Sequence, residues 1–161
     1  DLILLIDNGG TSMLPHVDLT RLLFSKVRGR LHRSTTYFFH NTIYGTLWRD
    51  PRRLDPVPIS EVLLRQRTVR VLILGDAAMA PEELLHPRGA IAWDADDQEA
   101  SITWLQRLRD RFPHTVWLNP IPKPEWTRTH GVFTIKKVGE IFPMEDLTLG
   151  GLKRAVERLN G

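Results

Sequence analysis

Leu2-Ile3-Leu4-Leu5-Ile6 is a run of five apolar residues that ends at Asp7, and Asn8-Gly9-Gly10-Thr11-Ser12 follows it directly. A short run that is apolar at every position is typical of a parallel strand covered on both faces. The two glycines predict a tight loop after this strand. Residues 69–74 form a second run, apolar except for Arg70, which leads to Asp76. The two runs therefore predict the central strands of a parallel sheet.

Helical and strand-like patterns alternate along the rest of the chain. Apolar spacing predicts helices over residues 17–31, 81–85 and 100–112, and a last helix that Thr148 can cap. Ser60 can cap another short helix that reaches residue 66. Strand-like segments lie at residues 35–40, 42–48, 115–118 and 132–136, while the prolines within residues 50–58 predict a loop. The side chains expected to face inward from the last helix are Leu149, Leu152, Ala155, Val156 and Leu159.

This alternation predicts the fold class. Strands that alternate with helices form open α/β sheets with helices on both faces. We expect a Rossmann-like, three-layer fold with a mostly parallel sheet and one antiparallel edge strand, because residues 35–40 and 42–48 are arranged as an antiparallel pair. Ligands of such sheets bind beyond the carboxyl ends of the strands, which is where the two aspartates lie.

The composition is that of a globular protein with a hydrophobic core. The chain has 161 residues, of which 42% are hydrophobic and 25% charged, and this fits one ordinary domain. The absence of cysteine excludes disulfides, cysteine zinc sites and thiol nucleophiles. No apolar run approaches the roughly 20 residues that cross a bilayer, and the net charge of +3 is not gathered into a basic stripe. We therefore expect a cytoplasmic protein with no membrane span and no nucleic-acid partner.

Asp7 and Asp76 are candidate ligands for a hard cation. If their strands are neighbours, the two carboxylates share one crevice with the hydroxyls of Thr11 and Ser12. Mg²⁺ prefers oxygen ligands and keeps several waters, so a few carboxylates and hydroxyls suffice. The residues alone leave a second interpretation open. Asp7 can cap the next helix, the glycines can simply form the turn, and Asp76 can accept hydrogen bonds from loop amides.

His40 and Asn41 end the next strand-like segment, on the edge of the sheet expected for Asp7. Neutral imidazole is a good metal ligand, so His40 is a candidate for lining the site or binding the metal. A turn histidine that hydrogen-bonds to the backbone explains the same pattern and is the simpler interpretation. The other histidines have no ligand-like spacing.

Several motifs, in a consistent order, resemble those of von Willebrand factor A (VWA) domains. The segment from Asp7 to Met13 is similar to the first metal-site loop of that family, Asp-x-Ser-x-Ser followed by Met. Residues 72–76 resemble the later strand whose aspartate completes the site. The C-terminal part is similar to the bacterial CoxE-like branch of the family. Its motifs here are Trp117-Leu118-Asn119-Pro120, Trp126, Ile141-Phe142-Pro143 and residues 147–152.

The resemblance covers essentially the whole chain and implies one VWA-like domain over residues 1–161. It implies a metal-ion-dependent adhesion site that binds protein partners rather than catalysing a reaction. CoxE-like members are linked to MoxR-type AAA+ ATPases in assemblies that remodel or mature other proteins, including metalloenzymes. On this basis we expect Asp7, Thr11, Ser12 and Asp76 to hold Mg²⁺. The residues expected to line the partner-binding crevice are Asn8, Gly9, Gly10, His40, Asn41 and Ser60.

The sequence departs from the family pattern around the metal site. Glycine replaces the first serine, and one extra residue precedes Met13, so either Thr11 or Ser12 aligns with the second serine. The middle threonine of the family has no clean match, and Ser60 is the nearest hydroxyl in that region. Ala77 stands where the family has a glycine. These departures predict a degenerate site, in which Mg²⁺ binding is either weak or lost.

The chain starts directly on its first central strand. Termini are usually frayed and exposed, so a natural chain rarely opens in this way. We therefore expect residues 1–161 to be the C-terminal domain of a longer protein, with further sequence before Asp1.

Two enzyme families share parts of the Asp7 loop. Phosphatases of the haloacid dehalogenase type begin with a strand and Asp-x-Asp-Gly-Thr, but Gly9 stands in place of their general-acid aspartate. Sugar kinases and actin-like proteins use Asp-x-Gly-Gly-Thr, whose backbone amides cradle phosphate. That fold continues with a hairpin and needs a much longer chain, whereas a helix is predicted here over residues 17–31. A haloacid-dehalogenase-like phosphatase or a phosphate-binding α/β domain is the alternative function.

Overall fold

A seven-stranded sheet runs through the part of the chain that the computed structural model describes, which is residues 1–9, 13, 16, 18, 33–89 and 98–161. The strands are β1 (Leu2–Asp7), β2 (Ser34–Phe39), β3 (Thr46–Trp48), β4 (Pro56–Pro58), β5 (Arg70–Leu74), β6 (Thr115–Asn119) and β7 (Met144–Asp146). Their order across the sheet is β4-β3-β2-β1-β5-β6-β7. If the outermost strand β4 is left out and the remaining six strands are numbered along the chain, their order is 3-2-1-4-5-6, which is that of doubly wound sheets.

Most of the sheet is parallel, as predicted. β1 lies between β2 and β5 and runs parallel to both, and β6 and β7 continue the parallel arrangement. β3 runs antiparallel to β2 and to the outermost strand β4, so one strand near the edge opposes the rest. The chain passes from β1 to β2 on one side and later to β5 on the other. The carboxyl ends of β1 and β5 therefore form the switch point where ligands bind in such sheets.

Helices cover both faces of the sheet. In the described residues they are α1 (Ile59–Leu63), α2 (Pro81–Leu85), α3 (Ser101–Arg111), α4 (Val132–Ile141) and α5 (Leu149–Asn160), with a 3₁₀ turn at Lys123–Glu125. Ile3 and Leu5 of β1 belong to a core cluster shared with α3 and α4. Leu2 and Leu4 belong to a second cluster, shared with α5. Burial on both faces explains why β1 is apolar from Leu2 to Ile6.

Residues 132–136, predicted as a strand, form the first half of α4 instead. Val132, Thr134 and Ile135 are β-branched and therefore suggested a strand. In the structure, Thr134, Ile135 and Val138 are buried together at helical spacing. Packing of this helix face against the core overrides the local propensity.

Three short strands also differ from the prediction. Residues 50–58 were predicted as a loop, but β4 lies within them, with Pro56 and Pro58 on an edge strand, where sheets tolerate proline. The strand predicted over residues 42–48 is shorter and covers Thr46–Trp48. β7 was not predicted, because three residues are too few to show an alternating pattern.

The predicted helix caps and faces are confirmed in part. Thr148 caps α5, since its Oγ1 accepts a hydrogen bond from Gly151 N–H at 3.0 Å. Ser60 is not a cap, because it lies within the first turn of α1 and Pro58 precedes that helix. The prediction that Leu149 and Val156 face inward was wrong, because these side chains are 88% and 49% exposed. The helix predicted over residues 17–31 lies outside the described residues except for Asp18.

Candidate functional site

The Asp7 carboxylate lies at the carboxyl end of β1 and is buried, with 1% of its surface exposed. Its Oδ1 accepts hydrogen bonds from the backbone N–H groups of Gly9 (3.0 Å) and Asn41 (3.1 Å). Its Oδ2 is also buried, and no hydrogen-bond partner for it exists among the described residues. One carboxylate oxygen is thus held by the loops, and the other has no hydrogen-bond partner among the described residues.

The Asp76 carboxylate follows β5, the strand beside β1, and it is also 1% exposed. Its Oδ1 accepts a hydrogen bond from the Ala78 N–H at 3.0 Å, whereas its Oδ2 is buried and lacks a partner in the described part of the chain. Ala77 lies between them with a φ of 55°, in the left-handed region that favours glycine. The glycine that VWA domains carry at this position would suit the observed backbone better than alanine does.

Asp76 acts on the Asp7 carboxyl as a like charge. Gly75 allows the two strand ends to approach, since a Cβ on it would lie 3.1 Å from Asp7 Cβ and 3.3 Å from Trp117 Cζ2. Burial raises the pKa of the Asp7 carboxyl well above its ordinary value, and Asp76 raises it further, while the N–H groups of Gly9 and Asn41 lower it only in part. A divalent cation bound to the two Oδ2 atoms would offset both burial and repulsion.

A third buried carboxylate, Glu83 of α2, is connected to this pair. Glu83 is 2% exposed, and its Oε1 accepts hydrogen bonds from the Tyr44 hydroxyl (2.9 Å) and from Asn41 Nδ2 (3.2 Å). Asn41 is the same residue whose backbone N–H holds Asp7 Oδ1. Glu83 also raises the pKa of Asp7, although less than burial and Asp76 do.

His40 lies beside the loop that follows β1. A Cβ on Gly9 would overlap the His40 ring and lie 2.8 Å from Arg53 Nη1, so both side chains pack against this glycine. Asn8 Nδ2 donates a hydrogen bond to the Pro51 carbonyl, which ties the loop to the segment that carries Arg53. Only glycine fits at position 9, and His40 and Arg53 lie beside the carboxylate site.

The structure does not bring every predicted residue to the site. Gly10, Thr11 and Ser12 lie outside the described residues. Ser60 lies in α1, directly after β4, and β4 is three strands away from β1. At about 4.8 Å per strand this separation is about 14 Å, so Ser60 is not placed beside Asp7 and Asp76.

Several residues not assigned to the site from the sequence hold its second loop in place. Trp117 Nε1 donates a hydrogen bond to the Gly75 carbonyl (2.7 Å), and Asn119 Nδ2 donates one to the Asp76 carbonyl (2.8 Å). Thr134 Oγ1 accepts one from the same loop at 3.1 Å. All three side chains are buried. Trp117 and Asn119 therefore fix the backbone that carries Asp76.

The donor set suits a hard cation. Carboxylate oxygens are the ligands that Mg²⁺ prefers, and Mg²⁺ commonly keeps several waters. No group of three or more histidine or acidic side chains is placed to hold a metal within the described ranges. A cation held by Asp7 and Asp76 would therefore complete its shell with water and with the predicted hydroxyls. Two unpartnered carboxylate oxygens fit such a cation.

Position 9 also bears on the phosphatase alternative. That reaction needs a general acid two residues after the first aspartate. The His40 ring and Arg53 Nη1 occupy the space that a side chain on Gly9 would need. In this arrangement of His40 and Arg53, position 9 has no room for a general-acid side chain.

None of the helices in the described ranges is long and apolar enough to cross a membrane.

Comparison of the chain with protein-family models, with curated proteins and with solved structures finds no match. The candidate site therefore rests on the residues and geometry of this chain.

Proposed function

We propose that this chain is a non-catalytic, protein-binding domain of the VWA type, with a divalent-cation site at the carboxyl ends of β1 and β5. In this proposal Asp7 and Asp76 bind Mg²⁺ through their Oδ2 atoms. An open coordination position on the ion accepts a carboxylate from a protein partner. Asn8, Gly9, His40 and Asn41 contribute to the surface around the ion.

The observation that carries this proposal is the burial of the two Oδ2 atoms without hydrogen-bond partners among the described residues. Both belong to carboxylates that are 1% exposed, and both lack hydrogen-bond partners among the described residues. Leaving a buried carboxylate oxygen unpaired costs free energy, and such groups are rare in folded proteins. Two of them at neighbouring strand ends are explained together by a bound cation.

The fold is consistent with the same proposal. The sheet has the open, mostly parallel arrangement with one antiparallel strand that the VWA resemblance implies. The two aspartates lie at its switch point, where such sheets bind ligands. The CoxE-like motifs include Trp117 and Asn119, whose hydrogen bonds hold the Asp76 loop.

The partner we propose is a MoxR-type AAA+ ATPase, with a role in protein remodelling or metalloenzyme maturation. The support for this partner is the CoxE-like order of the C-terminal motifs. A carboxylate from such a partner would complete the coordination of the ion, so binding should require both the cation and Asp7.

Calorimetric titration with Mg²⁺ and with Mn²⁺ tests the cation site. The wild-type protein should bind one ion at millimolar or lower concentration, and Asp7→Asn and Asp76→Asn should each abolish the heat. Asp110→Asn is the matched control, because Asp110 is an exposed aspartate on α3. Absence of heat with the wild type at millimolar metal, or binding that Asp7→Asn leaves unchanged, would refute the site.

Co-purification with a purified MoxR-type ATPase tests the partner. We expect the complex to form in Mg²⁺ and to dissociate when EDTA is added or when Asp7 is replaced by Asn. A complex that is indifferent to both changes would contradict recognition through the ion. Failure to form any complex would leave the cation site standing and remove this partner.

A further inference from the structure

Glu83 has an unusual environment for a buried carboxylate. It is 2% exposed, and its hydrogen bonds come from a hydroxyl (Tyr44, 2.9 Å) and an amide (Asn41 Nδ2, 3.2 and 3.4 Å). A glutamine at this position would offer the same acceptor oxygen to these neutral donors at a lower cost of burial. These hydrogen bonds therefore do not require the negative charge of Glu83.

Asn41 links this charge to the candidate cation site. Its φ of 61° places it in the left-handed region, and its backbone N–H donates to Asp7 Oδ1 at 3.1 Å. Its side-chain Nδ2 donates in the other direction, to the Glu83 carboxylate. The Glu83 carboxylate thus holds the residue that fixes which oxygen of Asp7 is engaged and which is left for the ion.

We propose that Glu83, acting through Asn41, is a positioning residue for divalent-cation binding by Asp7 and Asp76. This inference rests on the proposed cation site and names a residue of α2 that supports it. The role has two parts. Glu83 fixes Asn41, which holds Asp7 Oδ1, and its charge adds to the negative potential that a cation offsets.

The expected size of the effect follows from metal sites in general. Replacing a residue that orients a metal ligand from behind weakens metal affinity by about 10- to 100-fold. Glu83→Gln keeps the shape and the acceptor oxygen but removes the charge. Asn41→Gly keeps the positive φ and the backbone N–H but removes the side-chain link. Asn41→Gly, which removes the link, should therefore weaken Mg²⁺ and Mn²⁺ binding by about tenfold or more. Glu83→Gln, which keeps the hydrogen bonds, should weaken the binding of both ions by about tenfold through the lost charge.

The test is calorimetric titration of the full chain with Mg²⁺ and Mn²⁺, combined with urea unfolding in EDTA. Glu82→Gln is the matched control, since Glu82 is the adjacent glutamate of α2 and is exposed. We expect Glu83→Gln to bind both ions more weakly than the wild type. The metal-free variant should be as stable as the wild type or more stable. A merely structural role predicts the opposite for stability. Glu82→Gln should bind both ions as the wild type does.

The outcomes separate this inference from the proposed function. Wild-type binding together with tenfold weaker binding by Glu83→Gln and Asn41→Gly supports it. Wild-type affinity, within a factor of two, in either of these folded variants overturns it and leaves the cation site intact. An equal loss in Glu82→Gln also overturns it, because general surface charge would then explain the effect. No binding by the wild type overturns the proposed function itself.

Discussion

Replacing Asp7 with Asn should stabilise the metal-free protein, although Asp7 is the residue on which the proposed cation site depends. Oδ1 of the asparagine can still accept the hydrogen bonds from Gly9 and Asn41. The amide nitrogen takes the place of Oδ2, which has no partner among the described residues. The substitution removes a buried charge and its repulsion with Asp76.

The size of this gain follows from the electrostatics of buried like charges. At an effective dielectric constant of about 20, two unit charges at close range repel each other by up to about 4 kcal/mol. The amide is still a buried polar group, so part of this gain is lost. We expect the free energy of unfolding in EDTA to rise by about 1–3 kcal/mol, which is large against a total stability of about 5–15 kcal/mol.

Urea unfolding with and without Mg²⁺ measures both halves of this prediction. A ligand at ten times its Kd stabilises the folded state by about 1.4 kcal/mol. The wild type should gain this stability when Mg²⁺ is added, whereas Asp7→Asn should be more stable in EDTA and gain nothing. A variant that is less stable than the wild type in EDTA, or that responds equally to Mg²⁺, would show that Asp7 is a structural hydrogen-bonding residue.

Three further predictions follow from the same contacts. The stability advantage of Asp7→Asn in EDTA should be absent below about pH 4 and grow as the pH rises. Because the pKa of Asp7 is raised in the folded state, the unfolded wild type loses the Asp7 proton at lower pH than the folded wild type does. A stability advantage that is constant with pH would contradict this. Gly75→Ala should weaken Mg²⁺ binding in calorimetry and lower stability by about 1–2 kcal/mol, since the new methyl would lie 3.1 Å from Asp7 Cβ. Asn119→Ala should cost about 2–4 kcal/mol in urea unfolding, because it unpairs the Asp76 carbonyl and the Ile121 N–H; a loss below 1 kcal/mol would mean that these groups find other partners.

The sheet was predictable where burial dictates composition. β1 is buried at every position and is apolar up to Asp7, and the last four residues of β5 are likewise buried and apolar. The end of each run located the two aspartates, and the pairing of β1 with β5 places their strand ends side by side. The elements that were missed are those whose conformation depends on the rest of the fold. Residues 132–136 are a helix because of their packing, and β4 exists because β3 provides an edge.

The interior of the site was less predictable than its edge. Glu83 carries no sequence signal that separates it from Glu82, yet one side chain is buried and the other exposed. The turn geometry of α2 decides this, together with the contact to Tyr44. Position 9 was recognised as a departure from two family patterns, but the reason for its glycine, the packing of His40 and Arg53, depends on loops that are distant in sequence.

The position of a bound ion is the most direct test of the cation site proposed at Asp7 and Asp76. Mn²⁺ at substoichiometric concentration broadens the NMR signals of nuclei near it, so the amide signals of a ¹⁵N-labelled sample locate the ion. We expect loss of the Gly9, Asn41 and Ala78 signals first, because their N–H groups hold the two carboxylates. This loss should disappear in Asp76→Asn. Broadening centred on another acidic surface, or unchanged by this substitution, would contradict a cation site formed by Asp7 and Asp76.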